Sequence, residues 1–248
     1  MPFIEGIGTV NEKAFAVLQA LETGVTKDGR QVALQERPHY SGWKLNSTDA
    51  GYNTATGELK PGALLFYSTG IGRTGQGWSG ALTKGETSID NAQLGNDSNQ
   101  TYTALSMGWE IDTALPPNVA RKILQKFYGY AEFGSNISYP LGKLVHYPCG
   151  LGLRFDAAAS GAAGETIVNP RNGIGDGLTP LPAYGQITWE YSMQFKVYAA
   201  FTARDSSDKI YLTTDGLPLA EDGSNEIEGD IALFHHMRGF FSERLTNG

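Results

Sequence analysis

The chain carries a single cysteine, Cys149, in 248 residues, so no internal disulfide framework can hold it together. At this length an apolar core suffices for folding without cross-links or metals. A lone thiol suits a reducing compartment and does not exclude an oxidising one. Long apolar runs are missing too: no stretch of 18 residues is apolar enough to span a membrane as a helix. The start, Met1-Pro2-Phe3-Ile4-Glu5-Gly6, has no basic n-region and no long apolar stretch, so no signal peptide is expected and the mature chain is expected to begin near Met1. Positive charge is in short supply. Lys and Arg total 19 against 26 Asp and Glu, a net charge of −7. That balance favours solubility and opposes direct nucleic-acid binding, which needs cations to displace counterions.

Glycine is what the chain has in excess, 32 of 248 residues, about 13 % where ~7 % is usual. Tyr (12) and Phe (11) are also plentiful, and charged residues make up only 18 %. Glycine suits tight turns and aromatics suit pleated surfaces, so a turn-rich β architecture is expected. Asn11 to Gly24 reads as a helix, capped by Asn11, ended by Gly24, with Ala14, Val17, Leu18 and Leu21 on one face. Strands are expected at Gln31–Gln35 and Ala63–Ser68, then a long polar loop from Thr69 to Gln100. Leu105, Met107, Trp109 and Ile111 alternate with polar residues as a half-buried strand does. Pro117 with Val119, Ile123, Leu124 and Phe127 predicts a helix over 117–126. Strands follow at Phe127–Phe133, at Tyr139–Tyr147 and at Leu151–Phe155, and 156–185 reads as a second long loop. Met193 to Thr202 is the clearest alternation. Across the polar turn Arg204–Asp208 it is expected to form a hairpin with Ile210–Thr214. Ile231–Leu245 is ambiguous between strand and helix. The sum predicts an all-β, antiparallel two-sheet sandwich: a single jelly roll with long loop insertions and two or three short helices. One structural domain is expected, with 1–100 supplying the N-terminal helix, loops and first strands, and 101–248 the main core and a C-terminal arm.

Motifs that carry chemistry are scarce. Gly70-Ile71-Gly72-Arg73-Thr74-Gly75 matches G-x-G-x-x-G, but a pyrophosphate site needs those glycines to open a helix. Gln76-Gly77-Trp78-Ser79-Gly80 is a poor helix start, so a surface loop is expected. Asn172 to Gly177 lacks the alternating acidic ligands of a calcium loop. Among four histidines, His235 and His236 are adjacent and, in a strand, point to opposite faces. There is no H-E-x-x-H and no cysteine pair for zinc. His146 is expected to be a sheet residue and Cys149 a buried small hydrophobe. Glu110 and Asp112 share a strand face and would serve a glycosidase only across a cleft. Asn46, Asn96, Asn99 and Asn136 head acceptor triplets that, without a secretory signal, mark exposed turns. Trp43, Tyr52, Trp78 and Tyr184 are expected in glycine-rich loops, where they stack on sugars or anchor the loops. No catalytic, cofactor or metal residue is assigned, and the chain is not expected to be an enzyme.

The order of elements from Thr101 on carries a resemblance. A strand (Leu105–Asp112) precedes a short helix (Pro117–Lys126), then Tyr139-Pro140-Leu141-Gly142-Lys143-Leu144-Val145-His146-Tyr147-Pro148 and the turn Gly150-Leu151-Gly152. A hairpin ends in Leu212-Thr213-Thr214-Asp215-Gly216. Over residues 101–220 this resembles the jelly-roll capsid proteins of small tailless bacterial viruses, in which a Tyr-x-Leu-Gly-x-Leu…Pro-x-Gly segment and a terminal Leu-Asp-Gly strand recur. The match to the second motif is loose, and the first hundred residues match no named family. The resemblance implies a virion structural protein, made in the host cytoplasm, whose partners are copies of itself in an icosahedral shell and, as further candidates, other capsid proteins. It supplies no catalytic residues. Shell proteins use terminal arms, so Phe3, Ile4, Phe240, Phe241 and Arg244 are the subunit-interface candidates. Two alternatives stand beside this: a carbohydrate- or receptor-binding β-sandwich using the loop aromatics, and an enzyme working through Glu110, Asp112 or His146.

Overall fold

A computed structural model of the chain describes residues 3–4, 8–9, 32–89, 100–111, 115–133, 137–147, 154–157, 165–168, 179–181, 187–189 and 196–244. The expected helix at Asn11–Gly24, Cys149, Asp112, Tyr184, Met193 and Phe195 lie outside them. The strands are β1 (Phe3–Ile4), β2 (Gly8–Thr9), β3 (Val32–Lys44), β4 (Tyr52–Asn53), β5 (Glu58–Leu59), β6 (Gly62–Phe66), β7 (Gln100–Ile111), β8 (Tyr128–Phe133) and β9 (Ile137–Lys143). They continue with β10 (Arg154–Ala157), β11 (Glu165–Val168), β12 (Thr179–Pro180), β13 (Ile187–Trp189), β14 (Lys196–Phe201), β15 (Ile210–Tyr211) and β16 (Ala232–Arg244). The one α-helix among the described residues, α1 (Pro117–Lys126), follows β7.

Strands of the larger first sheet run β12-β7-β16-β3, with β13 also paired to β7, and those of the second run β6-β14-β8-β9. A small sheet, β15-β5-β4, and two isolated pairs, β1–β2 and β10–β11, complete the set. Every pairing is antiparallel. Side chains from both large sheets meet in one apolar core: Met107, Trp109, Ile111, Leu233 and Met237 from the first, Leu64, Phe66, Ala131, Val197, Ala199 and Phe201 from the second. Phe66 meets Trp109 edge-on across this core, ring centroids 5.1 Å apart. The Trp43 indole of β3 donates to Leu65 O of β6 at 2.8 Å.

The helix forms where the sequence places it. Pro117 occupies the first turn, where its missing N–H is not needed. Phe127 N–H closes the last turn onto Ile123 O. Val119, Ala120, Ile123 and Leu124 are buried, and burying each of the three larger side chains is worth about 1.5–3 kcal/mol.

Four expectations need correction. The hairpin between Met193–Thr202 and Ile210–Thr214 does not form: β14 is flanked by β6 and β8, and β15 pairs with β5. The Tyr139–Tyr147 strand ends at Lys143, and Leu144–His146 turns as a 3₁₀ helix with His146 exposed. Leu105 does not share the inward row of Met107, Trp109 and Ile111. β7 skips Leu105 in its pairing with β16, and this bulge moves the inward phase from Tyr102 and Ala104 to Met107 onward. Finally, Arg238–Arg244 is no free arm. Its backbone runs between β3 and β7 as part of a 13-residue strand, so within the ambiguous segment Ala232–Arg244 is strand. The expected 156–185 loop holds β11, which pairs with β10 across the start of that segment.

Prolines mark the outermost strands. Pro38 lies in β3, Pro140 in β9 and Pro180 in β12, and Pro61 immediately precedes β6. The inner strands β7, β16, β14 and β8 contain none. Proline has no N–H to give a ladder, so it is tolerated where no neighbour needs one. Part of the β3 edge is also covered: Gly42 N–H donates to Glu86 O, Ser88 N–H to Tyr40 O, and Lys44 N–H to Gln76 O.

Candidate functional site: a tyrosine face and a buried polar junction

Alternation along β8 sends Phe127, Gly129 and Ala131 inward and Tyr128, Tyr130 and Glu132 outward. Pairing with β14 sets Tyr198 directly opposite Tyr130. Their rings stack with centroids 4.6 Å apart and planes within 6°. Tyr128 continues the column at 6.1 Å from Tyr130. The Tyr198 hydroxyl donates to Glu132 Oε2 at 3.2 Å. Desolvation, and then the negative Glu132 carboxylate, push the Tyr198 phenol up to about 12, and the same two causes raise Tyr130. These tyrosines are therefore neutral donors at ordinary pH. Tyr128, Tyr139 and Val145 are three of the four large apolar side chains exposed among the described residues, and all lie on β8, β9 or the turn that follows.

The second feature is internal. Tyr67, one residue past β6, has φ 61, a left-handed conformation that side chains resist. That geometry sends its ring into the core, where the hydroxyl lies 2.9 Å from His235 Nδ1 and donates to His235 O at 3.1 Å. Gln76, at φ 54, is the other non-glycine in this region among the described residues. Both are tied to Ser41 Oγ, which accepts from Tyr67 N at 2.9 Å and from Gln76 Nε2 at 2.8 Å. Two strained residues thus share one buried acceptor, and their bonds offset the strain. His235 is fully buried and its imidazole is held well below the usual range, first by desolvation and then by His236. It is neutral.

His235 and His236 do face opposite sides of β16. His236 Nε2 lies 2.8 Å from Glu110 Oε2 on the outer face of the first sheet. That contact is the main reason the Glu110 carboxyl sits below its ordinary range. Glu110 is half exposed and is engaged by the neighbouring His236; its suggested partner acid, Asp112, lies outside the described residues. No three His, Cys, Asp or Glu among the described residues converge as metal ligands. Gly70–Gly75 opens no helix: Gly72 N–H donates to Leu82 O and Leu82 N–H to Arg73 O, so the segment folds back on itself.

Three of the four aromatics expected in loops, Trp43, Tyr52 and Trp78, are packed or bonded to the body. Trp43 belongs to β3, not a loop, and its indole is bonded to Leu65 O. Trp78 donates to Gly42 O at 3.1 Å, and Tyr52 is buried. Of the interface candidates, Phe3 and Ile4 lie in β1, paired with β2, and Phe240, Phe241 and Arg244 lie in β16. Sequence reasoning missed Tyr67 and Tyr198; the second is visible only once β14 and β8 are paired. No protein-family model matches the chain, and neither a curated protein nor a solved structure is detectably similar to it.

Proposed function

We propose that the chain is a jelly-roll subunit of a viral protein shell, assembling through contacts with copies of itself. The observation that carries this is the order of pairing. Taking β3, β6, β7, β8, β9, β12 with β13, β14 and β16 as eight successive strands, the first pairs with the eighth, the second with the seventh, the third with the sixth and the fourth with the fifth. Such nesting results when one long antiparallel ribbon is rolled so that alternate strand pairs fall in two sheets facing each other, which is the jelly-roll arrangement. The Phe66–Trp109 contact between the sheets fits that sandwich.

Fold alone does not specify function. The shell role rests on this strand order together with the resemblance over 101–220. The net charge of −7 suits a shell wall better than a nucleic-acid-coating layer. The carbohydrate-binding alternative has less to stand on, because Trp43, Trp78 and Tyr52 are spent on anchoring. The stacked faces of Tyr130 and Tyr198 likewise cover each other.

Light scattering and electron microscopy on the purified chain test the proposal. Closed particles, or trimers or pentamers that convert to them, are the expected result. A monomer that stays monomeric across concentration, salt and pH, and binds a glycan array, would refute it.

A further inference from the structure

Nε1 of Trp109 and Nε2 of His235 are buried ring nitrogens with no hydrogen-bond partner among the described residues. They belong to residues directly opposed on β7 and β16. Their rings are 4.4 Å apart, tilted by 52°, and the two residues are 1 % and 0 % exposed. Buried polar atoms in folded proteins are nearly always satisfied, by protein or by an enclosed water.

The chemistry of the pair narrows what satisfies them. The indole nitrogen can only donate. Tyr67 has one hydroxyl proton, and two carbonyls stand ready to accept it: His235 O at 3.1 Å and His39 O at 3.5 Å. Its oxygen is then left to accept from His235 Nδ1, 2.9 Å away. That assigns the imidazole proton to Nδ1 and makes Nε2 an acceptor. A ligand that bridges the two nitrogens at the edges of the rings must therefore accept from Trp109 and donate to His235. A cation fails the first requirement and an anion the second.

We propose that one enclosed water molecule bridges Trp109 Nε1–H and His235 Nε2, extending the Tyr67–His235 bond into a relay that joins β6, β16 and β7. The water is part of the folded chain and does not depend on the shell role.

The test is a high-resolution crystal structure of the full chain, paired with water-to-indole cross-relaxation NMR in solution. Expected are a single density peak within hydrogen-bond distance of both nitrogens and a cross-peak from Trp109 Hε1 to a long-lived water. The Trp43 indole proton, bonded to Leu65 O, serves as the internal control and gives no such peak. His235→Leu removes the acceptor, and the Trp109 cross-peak is expected to be lost while the Trp43 signal is unchanged. The proposal is overturned if no density lies within hydrogen-bond distance of both nitrogens. It is equally overturned if Trp109 Hε1 shows no water contact and shifts upfield, as an N–H packed on the imidazole face would.

Discussion

Lowering the pH from 7.5 to 4.5 is expected to destabilise the chain through His235 in particular. The imidazole is wholly enclosed between the sheets and its protonation is suppressed by desolvation, so the folded state takes up a proton far less readily than the unfolded chain, whose histidines titrate near 6.5. Below that pH the unfolded state binds more protons. Stability is therefore fully present above about 6.5 and falls by about 1.4 kcal/mol for each further pH unit, until the folded imidazole itself titrates. At pH 4.5, two units below that value, the loss is at most about 3 kcal/mol, a substantial share of the 5–15 kcal/mol typical of a folded domain. The described carboxylates with lowered values, Glu110, Asp205, Asp208, Asp215 and Asp222, contribute stability that is lost as the pH falls through and below their ordinary values of 4.5 for Glu and 3.8 for Asp, so the difference between the wild type and a variant lacking this imidazole isolates His235. The assay is urea unfolding at half-unit steps through that window, for the wild type and for His235→Gln, which keeps hydrogen-bonding capacity without the titration. The variant should be less stable at pH 7.5 and have a flatter pH dependence. Equal slopes for the two proteins would refute the reasoning.

Three further outcomes follow from other sites. Gly239→Ala places a Cβ 2.0 Å from Thr103 O at the bulge, so a loss of about 3 kcal/mol or more is expected in the urea midpoint, or no soluble protein at all. Ser41→Ala removes the acceptor shared by Tyr67 N–H and the Gln76 amide; about 2 kcal/mol of destabilisation should appear by thermal denaturation, with faster proteolysis within 68–88. Tyr198→Phe costs under about 1 kcal/mol, and ultraviolet titration of the variant should lose the phenol that ionises near 12 in the wild type.

How far each feature could be read in advance depends on the range of its cause. The helix at Pro117–Lys126 was legible because its signals, a first-turn proline and apolar residues at helical spacing, are local. The opposed directions of His235 and His236 follow from the two-residue period of any strand. The bulge at Leu105 was not legible, because its origin is the close approach of Gly239 to Thr103 from a strand at the other end of the chain. The failed hairpin has the same cause. β14 and β15 are neighbours in sequence, which favours pairing, but β14 finds apolar strands on both sides, one of them, β6, from the first third of the chain. Tyr67 hid because its role requires a left-handed backbone at a non-glycine position, which sequence pattern argues against.

The distribution of prolines bears on how such a chain behaves when crowded. A strand at a sheet margin normally offers its backbone to any passing extended peptide, and at high local concentration that leads to ribbons and fibres. Here the outer strands β3, β9 and β12 of the two large sheets each carry a residue that cannot complete the ladder. A second copy that met such a margin would find a ladder it cannot complete at that residue, so stitching of sheet to sheet is disfavoured there.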